Sequence, residues 1–495
     1  MAKDFNEVWL VDLKGDARTS GERRRQEGGN VFDDQIRVGV AISFFVRKQG
    51  QSGCRVRHVA VRDYAKSDEK REFLVAKRLR EHQFDEIRPD AKGNWLGQVS
   101  NDFDTLVPLQ DRTGKHRAIF DLTTNGINTA RDEWVYEFNA PDLLFKVKFA
   151  AAEFNREHEK WRGRKVTELK IDRLSKQVKW SEALLNNLVR EPAPEPSSEF
   201  LARAHYRPFL ALDYYAEPTF SDRLTRNHFS LFGSRLTESS PCIAASAPGK
   251  AAMFRLLASN QVCDWHFMGD TQLYGLYRFA ADGGRHDNIT DWALKQFQQH
   301  YHAGKDHKPA AISKEAIFHY VYAVLHDPVY REKYALNLKR EFPRVPLYGS
   351  ALTAFEQWAA WGAELMQLHI GYEAAQPWPV QRSDTPDTKA RAAKQSPKCI
   401  LKSQPDEGRI VIDSETTLAG IPLQAWSYKL GNRSALDWVL DQHKERKPKD
   451  PTIREKFDTY RFADYKEHVI DLLARVTTVS IETMRIVDQM KSAER

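Results

Sequence analysis

The sequence predicts a mixed α/β protein: a sheet at the N-terminus, an α+β lobe in the middle, and a mainly α-helical lobe at the C-terminus. Three observations predict that class. Residues 8–13 (VWLVDL) form an unbroken apolar run of strand length, and residues 38–46 (VGVAISFFV) continue as extended, β-prone text. From residue 53 to 138 short strand-like runs flank a single helical stretch. After residue 287 the apolar residues recur almost everywhere at helical spacing.

Taken in order, the 8–13 run is rich in Val, Leu and Trp, so it reads as a strand buried on both faces that needs neighbours on either side. With so little chain before it, the first domain is expected to be truncated. A charged glycine loop follows, then a strand pair over 30–48. Further strands are expected at 56–64, 120–122 and 132–138, with helices at 67–82 and 143–161. The later helices are 289–301, 314–326, 328–341 with Pro328 in its first turn, 350–371, 434–443, 462–475 and 479–492. Two composition breaks divide the chain: the Pro-rich 191–198 (EPAPEPSS), expected to join two lobes, and 374–409, expected to be a linker or surface excursion.

Composition narrows the function classes. A chain of 495 residues has a length prior of about three domains. Lys and Arg number 75 against 68 Asp and Glu, a balance of +7 that favours a polyanionic partner without demanding one. The four cysteines (Cys54, Cys242, Cys263, Cys399) are scattered, which signals reduced thiols in a cytoplasm rather than a zinc ribbon or disulfide framework. No run approaches a membrane span and no signal pattern opens the sequence, so no membrane partner is expected.

Catalytic signatures are missing. Nothing matches GxGxxG, a Walker loop, HExxH or a GxSxG elbow. Cys263, Asp264 and His266 are close in sequence but lack further ligands at metal spacing, so they read as core residues. His319 and His326 lie two turns apart on an apolar helix and read as hydrogen-bonded core or cap groups. No catalytic residue and no metal site are assigned.

Several segments together resemble a known family: 125–136 (NGINTARDEWVY), 205–209 (HYRPF), 316–339 (AIFHYVYAVLHDPVYREKYALNLK), 361–373 (WGAELMQLHIGYE), 431–439 (GNRSALDWV) and 456–466 (KFDTYRFADYK). They are similar to the C-terminal part of type ISP restriction-modification enzymes, single polypeptides that combine a nuclease, a helicase-like motor, an adenine methyltransferase and a target recognition domain. Val31, Phe32 and Asp33, followed by 38–46, resemble the late motifs of adenine-specific DNA methyltransferases.

The resemblance implies a division into 1–50, the incomplete closing strands of the methyltransferase; 51–190 and 199–373, the two parts of the target recognition domain; 374–409, the linker; and 410–495, a C-terminal helical part. It implies duplex DNA as partner, and S-adenosylmethionine, ATP and magnesium for the full-length enzyme. None of those three is expected in this chain, because the methyl-donor motif and the (Asn/Asp)-Pro-Pro-(Tyr/Phe) tetrapeptide do not occur in it. The alternative partner is an upstream polypeptide completing a split methyltransferase, docked on an exposed strand edge at 8–13.

The resemblance places Phe32 where an aromatic stacks on a flipped adenine; the competing reading is a core Phe at a hairpin entrance. A related Gly-Ile-x-Thr loop lies beside the target in such domains. This makes Asn125, Asn128, Thr129 and Arg131 candidates, against a buried turn capped by Asp132. The basic run Lys160, Arg162, Arg164, Lys165, Lys170 and Arg173 could meet phosphates or be a solvated helix face paired with Glu168 and Asp172. Arg203 and Arg207 could clamp phosphate or form a packing corner. Arg433 reads as structural, with Ser434 as the cap of the next helix.

Overall fold

The structure, a computed structural model, describes residues 3–17, 21–33, 36–90, 93–95, 101–111, 114, 117–171, 178–249, 253–303, 308–309 and 311–495. The chain divides into two compact units, Met1–Phe103 and Asp104–Arg495.

In the first unit the strand Glu7–Asp12 is central. It runs antiparallel to Ala41–Val46 and parallel to Arg55–Ala60, and Asp85–Ile87 closes the far edge of a four-stranded sheet. Val8 and Leu10 pack with Val56 in one apolar cluster, while Val11 and Leu13 join Val31, Val61 and Ala65 in another. That explains the uninterrupted apolar run. Two expectations change. The strand is paired on both sides, so 8–13 offers no edge for docking, and the sheet continues past residue 50 through the 55–60 strand. Of the expected strand pair over 30–48, the described residues form one strand, Ala41–Val46, and the Asn30 side chain donates to the Val38 carbonyl (2.8 Å).

The second unit holds two four-stranded sheets in its α+β part. One has the order Leu256–Ser259, Cys242–Ser246, Thr271–Gly275, Thr124–Asn125, and the other Val262–Cys263, Leu201–Arg207, Leu210–Tyr215, Tyr136–Glu137. The helix Ala140–Trp161, capped by Asn139 accepting from the Asp142 amide, packs on this layer. Its apolar face (Leu143, Val147, Ala150, Ala151, Phe154) is buried with Trp180, Leu184 and Tyr214. The expected strand over 132–138 begins instead as the helical turn Asp132–Val135. The 191–198 stretch is irregular but fastened: Asn155 donates to the Ala193 carbonyl and accepts from its amide.

The C-terminal part is helical around a further sheet. Two strands expected as a linker, Gln381–Asp384 and Cys399–Gln404, form the edges of a sheet whose inner strands are Thr416–Ala419 and Arg409–Asp413. The stretch looked like surface text because edge strands expose most of their side chains; of its apolar residues, Leu401 is the one that reaches the core. The helices expected at 462–475 and 479–492 are one, Phe462–Met490. The polar and β-branched break VTTVS is absorbed because Thr477 and Ser480 donate their hydroxyls to the carbonyls of Leu473 and Val476, one turn back. No helix among the described residues is long and apolar enough to cross a membrane.

In this part the helices Lys314–Val324 and Leu352–Ile370 pack extensively against each other. A Cβ on Gly362 would lie 1.8 Å from the His319 carbonyl oxygen, so only glycine lets the two backbones approach this far. Gly362→Ala is therefore expected to force the helices apart and cost about 1–3 kcal/mol. Urea denaturation should show a lower midpoint at unchanged slope.

Candidate nucleic-acid interface

The polar loop after Thr124–Asn125 is built on a close backbone approach. The Gly126 amide donates to the Thr271 carbonyl (2.9 Å) and the Ile127 amide to that of Cys263 (2.8 Å). A Cβ on Gly126 would come within 2.4 Å of the Asp264 carbonyl oxygen. The loop turns back at Ala130, which adopts a left-handed conformation (φ 56°), with Asn128 Oδ1 accepting from its amide.

This arrangement sorts the four loop candidates. Asn125 is exposed and Asn128 half-buried. Thr129 and Arg131 are corrections: both are core residues. The Thr129 hydroxyl donates to Asp132 Oδ1 (2.5 Å). Arg131 donates to the Phe220 carbonyl (2.5 Å) and to Ser181 Oγ (2.6 Å), and burial holds its guanidinium down to about 10 against the pull of Asp222. A guanidinium consumed inside the protein cannot meet a phosphate.

Arg207 is a further correction. Its Nη1 lies 2.5 Å from the buried Asp264 carboxylate and its Nη2 3.7 Å from Asp132, while the guanidinium sits 3.8 Å over the Tyr206 ring. Tyr206 in turn donates to Asp132 (3.1 Å). Burial pushes the Asp264 carboxyl up to about 7, even with the Arg207 contact pulling the other way. The HYRPF segment is thus a packing corner, with Phe209 fully buried in the left-handed conformation at its end. Arg203 reaches the surface but faces Asp213 (3.4 Å) and Glu373 (3.9 Å), so its charge is largely balanced. Cys263 and Asp264 sit in the core as expected of them, and His266 is exposed.

The basic run is different. The helix ends at Trp161, Gly163 (φ 73°) turns the chain away, and Val166–Glu168 is a single 3-10 turn, so the described residues up to 171 do not continue the helix face; Asp172 lies outside the described residues. Lys160 pairs with Glu157 (2.6 Å). Arg162, Arg164, Lys165 and Lys170 are exposed, and none has an ion-pair partner among the described residues. Arg173 lies outside the described residues.

In the first unit Phe32 is 55% exposed. Its amide is held by Asn30 Oδ1 (3.0 Å), and Arg71 braces both neighbours by donating to the Val31 carbonyl and to Asp33. An aromatic ring presented to solvent on a fastened turn is not a core residue at a hairpin entrance.

A groove of about 750 Å³ opens beside Asn125, lined also by Gln110, Trp265, Gln272, Arg340 and Arg344. Sequence reasoning missed these five, since they come from separate stretches of chain. Trp265 lies between Asp264 and His266; its indole N–H donates to Asp270 (2.7 Å), which fixes the ring in the groove wall. Gln272 pairs with Asn125 in register and donates to the Thr124 carbonyl (2.9 Å). Arg433 has its structural role, paired with Asp441 (2.7 Å), and Ser434 caps the helix Ala435–Gln442.

Removing one partner of a buried ion pair strands the other charge. Arg207→Met is expected to destabilise the protein by about 3–5 kcal/mol. Adding Asp264→Asn should recover part of that loss, as read by equilibrium denaturation of the single and double variants. A loss of DNA affinity without loss of stability would instead return Arg207 to the surface.

Comparison with known proteins places these features. The family model of the type ISP C-terminal specificity domain matches residues 118–472. No curated protein sequence matches the chain. Among solved structures, the chain is similar to DrdV in a DrdV–DNA complex determined by cryo-electron microscopy, at 44% identity and a TM-score of 0.85 over 98% of this chain and 48% of that one. It shares the fold of the type ISP restriction-modification enzyme LlaGI, a nuclease-deletion mutant in complex with a DNA substrate mimic. There the TM-score is 0.78 at 24% identity, over 99% of this chain and 44% of that one. It also shares the fold of the ATP-dependent type ISP enzyme LlaBIII bound to DNA (0.81, 22% identity, 100% of this chain and 31% of that one). The chain spans about half or less of the length of these enzymes. The family match takes in the polar loop, the basic run, the HYRPF corner and the part of the groove wall from Asn125 onward, and the chain belongs to the type ISP C-terminal specificity domain family.

Proposed function

We propose that this chain recognises a duplex DNA sequence as the specificity region of a restriction-modification enzyme. The observation that carries the reading is the loop bearing Arg162, Arg164, Lys165 and Lys170. These four exposed cations lie close together in the chain and have no carboxylate partner among the described residues, whereas Arg131 and Arg207 are spent in the core. Uncompensated surface cations on a fixed support suit a phosphate backbone, where each contact releases a condensed counterion. The DNA-bound relatives favour the same partner.

Phe32 is proposed as the face on which an extruded adenine stacks, an exposed ring returning part of the lost base stacking. The methyl donor, ATP and magnesium of the full enzyme belong, on this reading, to its other parts.

Fluorescence anisotropy with a labelled duplex across a salt series tests the reading. Four phosphate contacts correspond to a slope of log K against log[salt] near −3.6, or roughly a hundredfold loss between 50 and 200 mM salt. Replacing Arg162, Arg164 and Lys165 together by alanine should reduce the slope by about 2 to 3. Binding that ignores both salt and these substitutions would sink the proposal.

A further inference from the structure

Two side-chain amides facing the groove make no hydrogen bond among the described residues. Asn125 is exposed and its amide is bonded to nothing. Gln110 Oε1 is buried and unpartnered, an acceptor whose burial costs about 1–3 kcal/mol until a donor reaches it. The neighbouring amide, Gln272, already spends its N–H on Thr124, and Asn227 holds the Thr123 carbonyl (2.9 Å). The main chain beneath Asn125 is therefore locked from both sides while its side chain is left unused, the reverse of what a structural asparagine does in a turn.

The charge of the groove bears on what enters. Among the described residues, Arg117, Arg340 and Arg344 line it together with Asp111, Asp270 and Glu341, so cations and carboxylates balance there. A phosphodiester would meet those carboxylates at close range, whereas the neutral, donor- and acceptor-bearing edge of a base pair would not. Side-chain amides pair two-fold with adenine, whose N6 amino group donates and whose N7 accepts.

Resting on the reading that the chain recognises duplex DNA, we propose that Asn125 reads an adenine of the target from this groove, with the Gln110 carbonyl as a second acceptor for a base amino group. Phosphate contact and base reading then fall to different parts of the unit: the cationic loop after Trp161 and the charge-balanced groove.

The test is selection from a randomised duplex library by the full chain, with the bound fraction sequenced for wild type, Asn125→Ala and Gln110→Met. Salt slopes and melting curves are measured on the same samples. Asn125→Ala is expected to lose discrimination for adenine at one position by roughly 10- to 100-fold, with the salt slope and melting unchanged. Gln110→Met should weaken preference at the same or an adjacent pair. Should Gln110→Met prove unstable, Asn125→Ser, at an exposed site, carries the test alone. Variants that keep every preference, or an Asn125 variant that relaxes only a G·C pair, overturn the assignment. Absence of salt-dependent duplex binding by the unaltered chain overturns the recognition reading and this assignment with it, whereas retained preferences in a variant that still binds overturn the assignment alone.

Discussion

Asp264 is a buried carboxyl group touched by three segments of chain at once. Its carboxylate takes the Arg207 guanidinium and the His266 amide, its own amide donates to the His205 carbonyl, and its carbonyl crowds Gly126 so closely that no side chain fits there. The strand Leu201–Arg207, the segment that carries Trp265 and the loop that carries Asn125 are thereby held in one arrangement. A buried ion pair adds little net stability, because desolving two charges costs about what their attraction returns. Its effect is on geometry: any other packing of these segments would leave a charge stranded, so the alternatives are raised in energy more than the native state is lowered.

That constraint explains why polar residues from one short loop meet such different fates. Reading from 125 to 131, side chains pass from solvent to core within six residues, because Gly126 presses the loop onto Asp264 and Ala130 turns it inward. Arg131 is drawn down to a carbonyl and a hydroxyl, while Asn125 stays at the rim with its amide unspent. Arginine is suited to the buried role, since its donors fan out to several acceptors and its charge is nearly impossible to remove. The same property makes arginine a good phosphate ligand, so its identity alone cannot say which role it plays.

Here lies the boundary of what the sequence made legible. Local signals were read correctly where the physics is local: the doubly buried strand at 7–12, the long amphipathic helix ending at Trp161, and the Ser434 cap. Arg131 and Arg207 were misread because their partners lie far along the chain, Ser181 and Phe220 at separations of 50 and 89 residues and Asp264 at 57. The groove was invisible for the same reason, its wall being assembled from stretches near 110, 125, 270 and 340. The VTTVS break misled in the opposite direction, since hydroxyls that disfavour an isolated helix can be satisfied within a packed one.

A protein that binds DNA with sequence preference has to separate two kinds of contact, because phosphate contacts raise affinity for every sequence alike and only base-edge contacts discriminate. If cations lined the groove unopposed, attraction to any duplex would swamp the difference between right and wrong bases. In this unit the groove arginines are matched by acidic neighbours, and Arg207 and Arg131 are withdrawn into the core. Among the described residues, Arg162, Arg164, Lys165 and Lys170, on a loop beyond the end of a helix, stay exposed and without an ion pair. Desolvation of a balanced, hydrogen-bonding wall is repaid only by a partner whose donors and acceptors match it. On the proposed reading a mismatched base would leave groups such as Gln110 Oε1 unsatisfied, and that penalty, more than any single attractive contact, is what selectivity requires.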